Sequence, residues 1–504
     1  MRRRPITPSP RPAPANVADA ATSDAPLADA SPVEENAAAA VTPRVAPRVP
    51  VRPPELAAGV TAEGRPRLLR LPLQRMTTAQ CAALYPFQAE AGLGPRGVLV
   101  GTTWPAGLPY YYDPFALYED GRLDNPNLMV FGEPGSGKSA AVKCLLARHV
   151  GLLGRGGVGR QAFIVDPKRE YEGLADALAM TRLELRPGGR HAMNPLGRLS
   201  GGVETPAELL VRRSRLCAAL LSSVAGHALS REEDALLGWA LEALGEEEAR
   251  RDGARRNTSG PSASLADLAR LLEEPTGEMA ARAHLPRAEL ALATRPLWLL
   301  ADKLVRRDLV GMFDGADSLA EATMSGTGVV LDVASVFFDK ALLRLVMLAA
   351  ISVLQACYLS GGIDDWLVPR RFLVVDECWA MLGSEEAARF LQENWKLARA
   401  RGVANVAVCH RVTDLGAQAD AGSATSKIAD GLVADAQTQV VFRTSSHVLE
   451  ETRDALGLSN AETAALSRLP RATALWRVRG RSCFVRHVRS AYEVGFTDTD
   501  ARIS

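Results

Sequence analysis

Lysine is scarce in this chain. Of its 59 Lys and Arg residues only a handful are Lys, an imbalance that looks like coding bias rather than chemistry. A charge of one sign is missing too. The formal net charge is +1, so no global field draws the protein onto nucleic acid or anionic lipid, and any such contact must come from local patches. Paired cysteines are absent. The seven Cys (Cys81, Cys144, Cys217, Cys357, Cys378, Cys409 and Cys483) are odd in number, scattered, and free of any CxxC or Cys/His group. They read as buried thiols in a reducing cytoplasm rather than as a disulfide framework or a structural metal site. There is no long hydrophobic run. The most apolar window, LVMLAAISVLQACYL at Leu345–Leu359, carries Ser352 and Gln355 and falls short of the roughly 20 residues a spanning helix needs. It reads as a buried helix of a soluble or at most peripheral protein. The start, MRRRPITPSPRP, is basic with no apolar core behind it, so it is not a secretory signal.

What is present is enough apolar residue, 47% of 504, for a large core and two or three domains. Residues 1–60, rich in Pro, Ala and Arg, hold no aromatic side chain and cannot bury enough surface to offset ordering, so a disordered tail is expected. Residues 61–127 read as a small strand-rich segment, with RGVLVGTTWPAGLPYYYDP as two short strands and a turn. From 128 the pattern is α/β: NLMVFG, QAFIVDPK, GTGVVLDVAS, RRFLVVDECWAML, VANVAVCHRV and TQVVFRT are strand-like runs among helical stretches. That alternation predicts a mostly parallel sheet covered on both faces. Residues 204–324 interrupt it with helical pattern alone. Its helix starts are marked by Thr205 with Glu208, Ser230 with Glu233 and Ser264 with Asp267, each a capping pair. The core is therefore expected at 128–203 and 325–495, with a helical insertion at 204–324.

Gly132-Glu133-Pro134-Gly135-Ser136-Gly137-Lys138-Ser139 fits G-x-x-x-x-G-K-[ST] between a strand and a helix that continues with Ala140. Such a loop turns backbone N–H groups around phosphates, brings the lysine to the β- and γ-phosphates, and ligates Mg²⁺ through the hydroxyl, here Ser139. RFLVVDECWAML ends a strand on Asp376 and Glu377. Asp376 suits the metal shell, and Glu377 can orient and deprotonate water. The pattern therefore predicts a Mg²⁺-dependent ATPase. Asp166, ending the second strand, is expected at or just behind the nucleotide.

FIVDPKREYEGL followed by RPGGRHAMNPL resembles the second-strand and Asn-Pro motifs of the type IV secretion and conjugal-transfer ATPases, the TraC-like branch of the HerA–FtsK motors. The stretches around the phosphate loop, and from CHRVTDLGAQ to FVRHVRSAYE, are similar to actinobacterial members, so the resemblance covers residues 85–500. It implies a RecA-like core, assembly as a homo-oligomer (a hexamer), and a place at the inner face of the cell membrane. The energy would drive channel assembly or passage of DNA or protein, with membrane-embedded channel components as partners and direct DNA contact left open. Many members carry a γ-phosphate-sensing Gln where Cys409-His410-Arg411 stands here. His410 is its expected substitute, since an imidazole can also donate to phosphate; a histidine merely satisfied at a strand end is the alternative. Arg399 and Arg401, between a helix and that strand, stand where related motors reach a neighbour's phosphates; a solvated helix end is the other reading.

WRVRGRSCFVRHVRS would put Arg477, Arg479 and Arg481 on one strand face, read as the wet side of an edge strand in preference to a track for DNA phosphates. Two other functions compete with the secretion motor: a DNA-translocating coupling ATPase of the FtsK or TraG type, and a non-catalytic, ATP-gated channel scaffold.

Overall fold

The computed structural model describes residues 92–151, 159–198, 204–254, 262–313, 318, 326–359, 369–398, 402–412, 414 and 423–498. The tail expected at 1–60, Arg399 and Arg401 lie outside them. The strands are β1 (Val98–Thr103), β2 (Pro109–Tyr112), β3 (Leu128–Phe131), β4 (Arg160–Asp166), β5 (Thr181–Glu184), β6 (Gly328–Asp332), β7 (Arg370–Val375), β8 (Val403–Cys409), β9 (Thr438–Phe442), β10 (Thr473–Val478) and β11 (Arg481–His487). They form one sheet in the order β2-β1-β11-β10-β9-β3-β8-β7-β4-β6-β5. From β9 to β5 every pairing is parallel. From β9 outward through β10, β11, β1 and β2 every pairing is antiparallel. The strand-rich segment expected at 61–127 lends β1 and β2 to the main sheet.

Alternation along each strand explains why the sheet is covered on both sides. Leu128 and Val130 of β3, Ile164 of β4 and Phe372 and Val374 of β7 enter one buried cluster. Met129, Phe131, Phe163, Val165, Leu373 and Val375 enter the other. The first face is covered by α1 (Lys138–Gly151). The second is covered by helices that include α2 (Pro206–Ala225), α3 (Arg231–Ala254), α4 (Leu265–Glu273), α5 (Lys340–Leu359) and α6 (Glu385–Ala398).

The helix starts at 204–324 follow the sequence signals. Thr205 and Glu208 cap α2 reciprocally, and Ser264 with Asp267 does the same for α4. Ser230 and Glu233 exchange matching bonds before α3. Among the described residues these helices share one buried cluster with the sheet. Leu216 and Leu220 of α2 share a cluster with Phe163 of the sheet, and α2 packs on α5 and α6. The Asn-Pro motif supplies one join: Asn194 Nδ2 donates to the Ala263 carbonyl at 2.9 Å, while its Oδ1 accepts from the Leu196 amide at 3.0 Å. The 345–354 run of α5 is buried, as its composition required. Among the described residues no helix is long and apolar enough to cross a membrane.

One expectation is corrected. WRVRGRSCFVRHVRS is not a single strand but a hairpin, β10 and β11, turning at Arg479 (φ 46°) and Gly480 (φ 77°). Two successive positive φ values make the tight turn whose twist suits a hairpin. Arg477 opposes Ser482 and Arg481 opposes Val478, so the three arginines share no strand face. Neither strand is at an edge; Arg477 is taken up by Gln439 and the Leu456 carbonyl.

Candidate active site

The carboxyl ends of β3, β4, β7 and β8 lie side by side, the crevice where open α/β sheets take ligands. A cavity of about 480 Å³ opens there. The loop joining β3 to α1 forms one wall, and its glycines are required by its path. Gly132 has φ +149°, and a Cβ there would sit 2.5 Å from Cβ of Phe442 on β9; Gly137 has φ +109° and lies against Ala472. Neighbours hold the loop from both sides. The Gly132 amide donates to the His410 carbonyl at 3.0 Å, and the Ala472 amide to the Ser136 carbonyl at 3.0 Å. Lys138 is buried, and its ammonium donates to the Gly132 carbonyl and to that of Glu133, the latter at 3.0 Å. Burial lowers its pKa, against the pull of Asp376 and Glu377.

Asp376 and Glu377 follow β7. Both are buried, 4% and 3% exposed, yet they are pushed in opposite directions. Burial raises Asp376 to about 8, with the neighbouring Glu377 charge adding to it. Burial also raises Glu377, but hydrogen bonds from His410 and Lys168 outweigh it and hold that carboxyl at about 2. Glu377 has φ +54°, a left-handed conformation that costs a non-glycine residue energy and is common where a side chain is aimed at a site. Its Oε1 lies 2.5 Å from Lys168 Nζ and 2.9 Å from His410 Nε2. Its Oε2 accepts from Trp379 Nε1. His410 spans the site, with Nδ1 3.4 Å from Lys138 Nζ. A lysine ammonium can only donate, and Lys168 Nζ lies 3.1 Å from Nε2, so each ring nitrogen has a lysine donor beside it and Nε2 has the Glu377 acceptor as well.

Lys168 reaches this cluster because Asp166 shapes the loop after β4. The Asp166 carboxylate accepts backbone N–H bonds from Lys168 at 3.2 Å, Glu170 at 3.1 Å and Tyr171 at 2.9 Å. These bonds oppose the burial that raises its pKa. The second-strand motif is therefore a carboxylate-centred turn that aims a lysine at the acidic pair.

No protein-family model matches the chain, and no curated protein matches it in sequence. Solved structures do. VirB4 of Thermoanaerobacter pseudethanolicus is similar over 80% of this chain and 100% of its own, with TM-score 0.60 and 18% identity. The conjugative coupling protein TrwB in its unbound form matches 79% of this chain and 92% of its own, with TM-score 0.50 and 18% identity. TrwB bound to the non-hydrolysable ATP analogue ADPNP matches 79% and 90%, again with TM-score 0.50 and 18% identity. The chain has the fold of VirB4 and TrwB.

Within this VirB4- and TrwB-like fold the cavity gathers most of the residues picked out from sequence. Glu133, Pro134, Gly135, Gly137, Lys138, Ser139, Ala140, Asp376, Glu377 and His410 line it. Gly132 and Ser136 hold the loop through their backbones, and Asp166 sits behind the wall, bonded to amides. Sequence reasoning missed Lys168 as a member of the cluster, although it stood in the quoted motif. It also missed Trp379, two residues past Glu377, and Ala472, whose φ of +61° no residue type announces.

Proposed function

We propose that this chain is an ATP-hydrolysing motor of a conjugative or type IV secretion apparatus. The observation that carries the reading is the convergence of a glycine loop, its lysine, and an Asp-Glu pair on one cavity at the carboxyl edge of the sheet. The described residues suit Mg²⁺ and a triphosphate. Ser139 and Asp376 offer a hydroxyl and a carboxylate on the same cavity, and the burial that raises Asp376 would be offset by a divalent cation. Bound there, the cation would neutralise phosphate charge.

The residues would then act as follows. The 132–139 backbone cradles the phosphates. Lys138 leaves the Gly132 and Glu133 carbonyls to reach the β- and γ-phosphates. Water attacks the γ-phosphorus while Glu377 takes its proton, and the bond to the β-phosphate oxygen breaks, giving ADP and phosphate. His410 donates Nε2–H to the terminal phosphate, the substitute for the amide of related motors. The solved TrwB complexes with ADPNP, with GDPNP, and with ADP and Mg²⁺ support a purine nucleotide with Mg²⁺, and the family resemblance supplies ATP. The fold shared with VirB4 over that protein's whole length fits a secretion motor; assembly as an oligomer at the inner face of the membrane is carried by the sequence resemblance. Arg399 and Arg401 are the candidates for reaching a neighbour's phosphates. TrwB similarity keeps a DNA-coupling role as the second reading.

Phosphate release from MgATP tests this. Glu377→Gln should lower kcat by about 10²- to 10⁴-fold while nucleotide still binds, and Lys138→Ala should abolish turnover. Wild-type turnover in Glu377→Gln would refute Glu377 as the base, whereas a Glu377→Gln protein that lost turnover yet still supported transfer in cells would favour the ATP-gated scaffold. Turnover that rises with protein concentration and ignores DNA fits the secretion motor; strong stimulation by DNA favours the coupling role.

A further inference from the structure

Lys168 has no part in the steps above, yet it holds the residue they depend on. We propose that Lys168 is a positioning residue that keeps Glu377 engaged until a triphosphate binds, then exchanges the carboxylate for the terminal phosphate. This rests on the reading of Glu377 as the base. Both oxygens of Glu377 are occupied: Oε1 by Lys168 at 2.5 Å and His410 at 2.9 Å, Oε2 by Trp379 Nε1. Three donors take three of the carboxylate's roughly four acceptor sites, so the group is held in place and its charge is already engaged.

Two of these three partners, Lys168 and Trp379, are backed by one short segment. Phe337 presents its ring to the Lys168 ammonium, 5.6 Å from the centroid, and Lys340 lies 5.4 Å over the Trp379 ring. Cation–π contact of this kind restrains a lysine that would otherwise sample solvent. The Lys168 side chain is nonetheless 26% exposed and lines the cavity, so it can follow an anion that enters there. A phosphate carries more negative charge than a carboxylate, and a lysine is a compact charge on a flexible stem suited to move between the two. A diphosphate lacks the terminal group, so it leaves the Lys168–Glu377 pair in place. The nucleotide that can be hydrolysed is the one that frees the base.

The test compares affinities for ADP and for a non-hydrolysable ATP analogue, both with Mg²⁺, in the wild type, Lys168→Met and Lys168→Arg. Lys168→Met should leave ADP affinity within about twofold and cut the preference for the triphosphate about tenfold, with a fall in kcat; Lys168→Arg should recover part of both. If Lys168→Met does not bind ADP because it fails to fold, Lys168→Gln gives the same readings. An unchanged triphosphate preference, or equal weakening of both nucleotides, overturns the proposal. Lys138→Ala and Glu377→Gln are measured alongside. Turnover lost in both, with the preference intact in Lys168→Met, overturns the proposal alone, whereas full turnover in Glu377→Gln overturns the reading beneath it.

Discussion

Arg213 on α2 and Glu248 on α3 form an ion pair inside the helical layer, and the cost of breaking it can be worked from its contacts. Both side chains are 2% exposed. The guanidinium donates to the two Glu248 oxygens at 2.9 and 3.3 Å and, through Nε, to the Leu196 carbonyl at 2.8 Å. Arg213→Met removes all three bonds and leaves a buried carboxylate, for which breaking such a pair costs about 3–5 kcal/mol. Glu248 keeps two partners, the Ala263 amide at 3.0 Å and Arg198 Nε at 3.0 Å, so the lower end, about 3 kcal/mol, is expected. Replacing Glu248 by Leu as well should restore part of it, because no orphaned charge remains. The pH dependence has a definite sign. Burial raises the Glu248 pKa, but the bonds from Arg213 win and hold it below the ordinary carboxylate value. A depressed acid contributes stability that is present above the unfolded pKa and lost as pH falls through the folded one. The gap between wild type and Arg213→Met should therefore be full at pH 7 and shrink as the pH falls through and below about 4. Urea denaturation at a series of pH values measures it. A loss below about 1 kcal/mol at pH 7, or a gap that widens on acidification, refutes the reasoning.

Two further outcomes follow from the same contacts. Gly132→Ala puts a Cβ 2.5 Å from Cβ of Phe442 at a φ of +149°, so nucleotide affinity should fall about tenfold or more, measured by titration with MgADP; wild-type affinity would show that the loop tolerates the shift. His149, fully buried beside Arg160 Nη1 at 2.7 Å, is held at about 3 by burial and then by that guanidinium. The unfolded chain takes up a proton below about 6.5 that the folded one refuses, so stability should fall by up to about 1.4 kcal/mol per pH unit as the pH drops below that value. His149→Gln should flatten the slope between pH 7 and pH 5, and an unchanged slope would sink the assignment.

Much of this protein is determined by local sequence. The phosphate loop needs only its own glycines between an apolar strand and a helix, because positive φ and close backbone approach are properties of those few residues. The capping pairs at Thr205, Ser230 and Ser264 act over three residues. The parallel core follows from strand-like runs alternating with helical ones. Asp376 and Glu377 are legible because they end one such run.

What only the tertiary structure decided involves residues far apart in the chain. β1 closes on β11 across almost four hundred residues, joining the N-terminal strand-rich segment to the main sheet. The hairpin at Arg479-Gly480 escapes sequence reading because an arginine at positive φ is rare; pairing on both sides stabilises it there. Asp166 meets the backbone of its own turn. The three arginines near 480 were separated by that same turn. Lys168, His410 and Glu377 come from three different strand ends, and nothing within a window of residues states that they touch. Local conformation depends on neighbours in sequence, whereas the charge balance of a buried acid depends on which distant side chains the sheet order brings within about 3 Å of it.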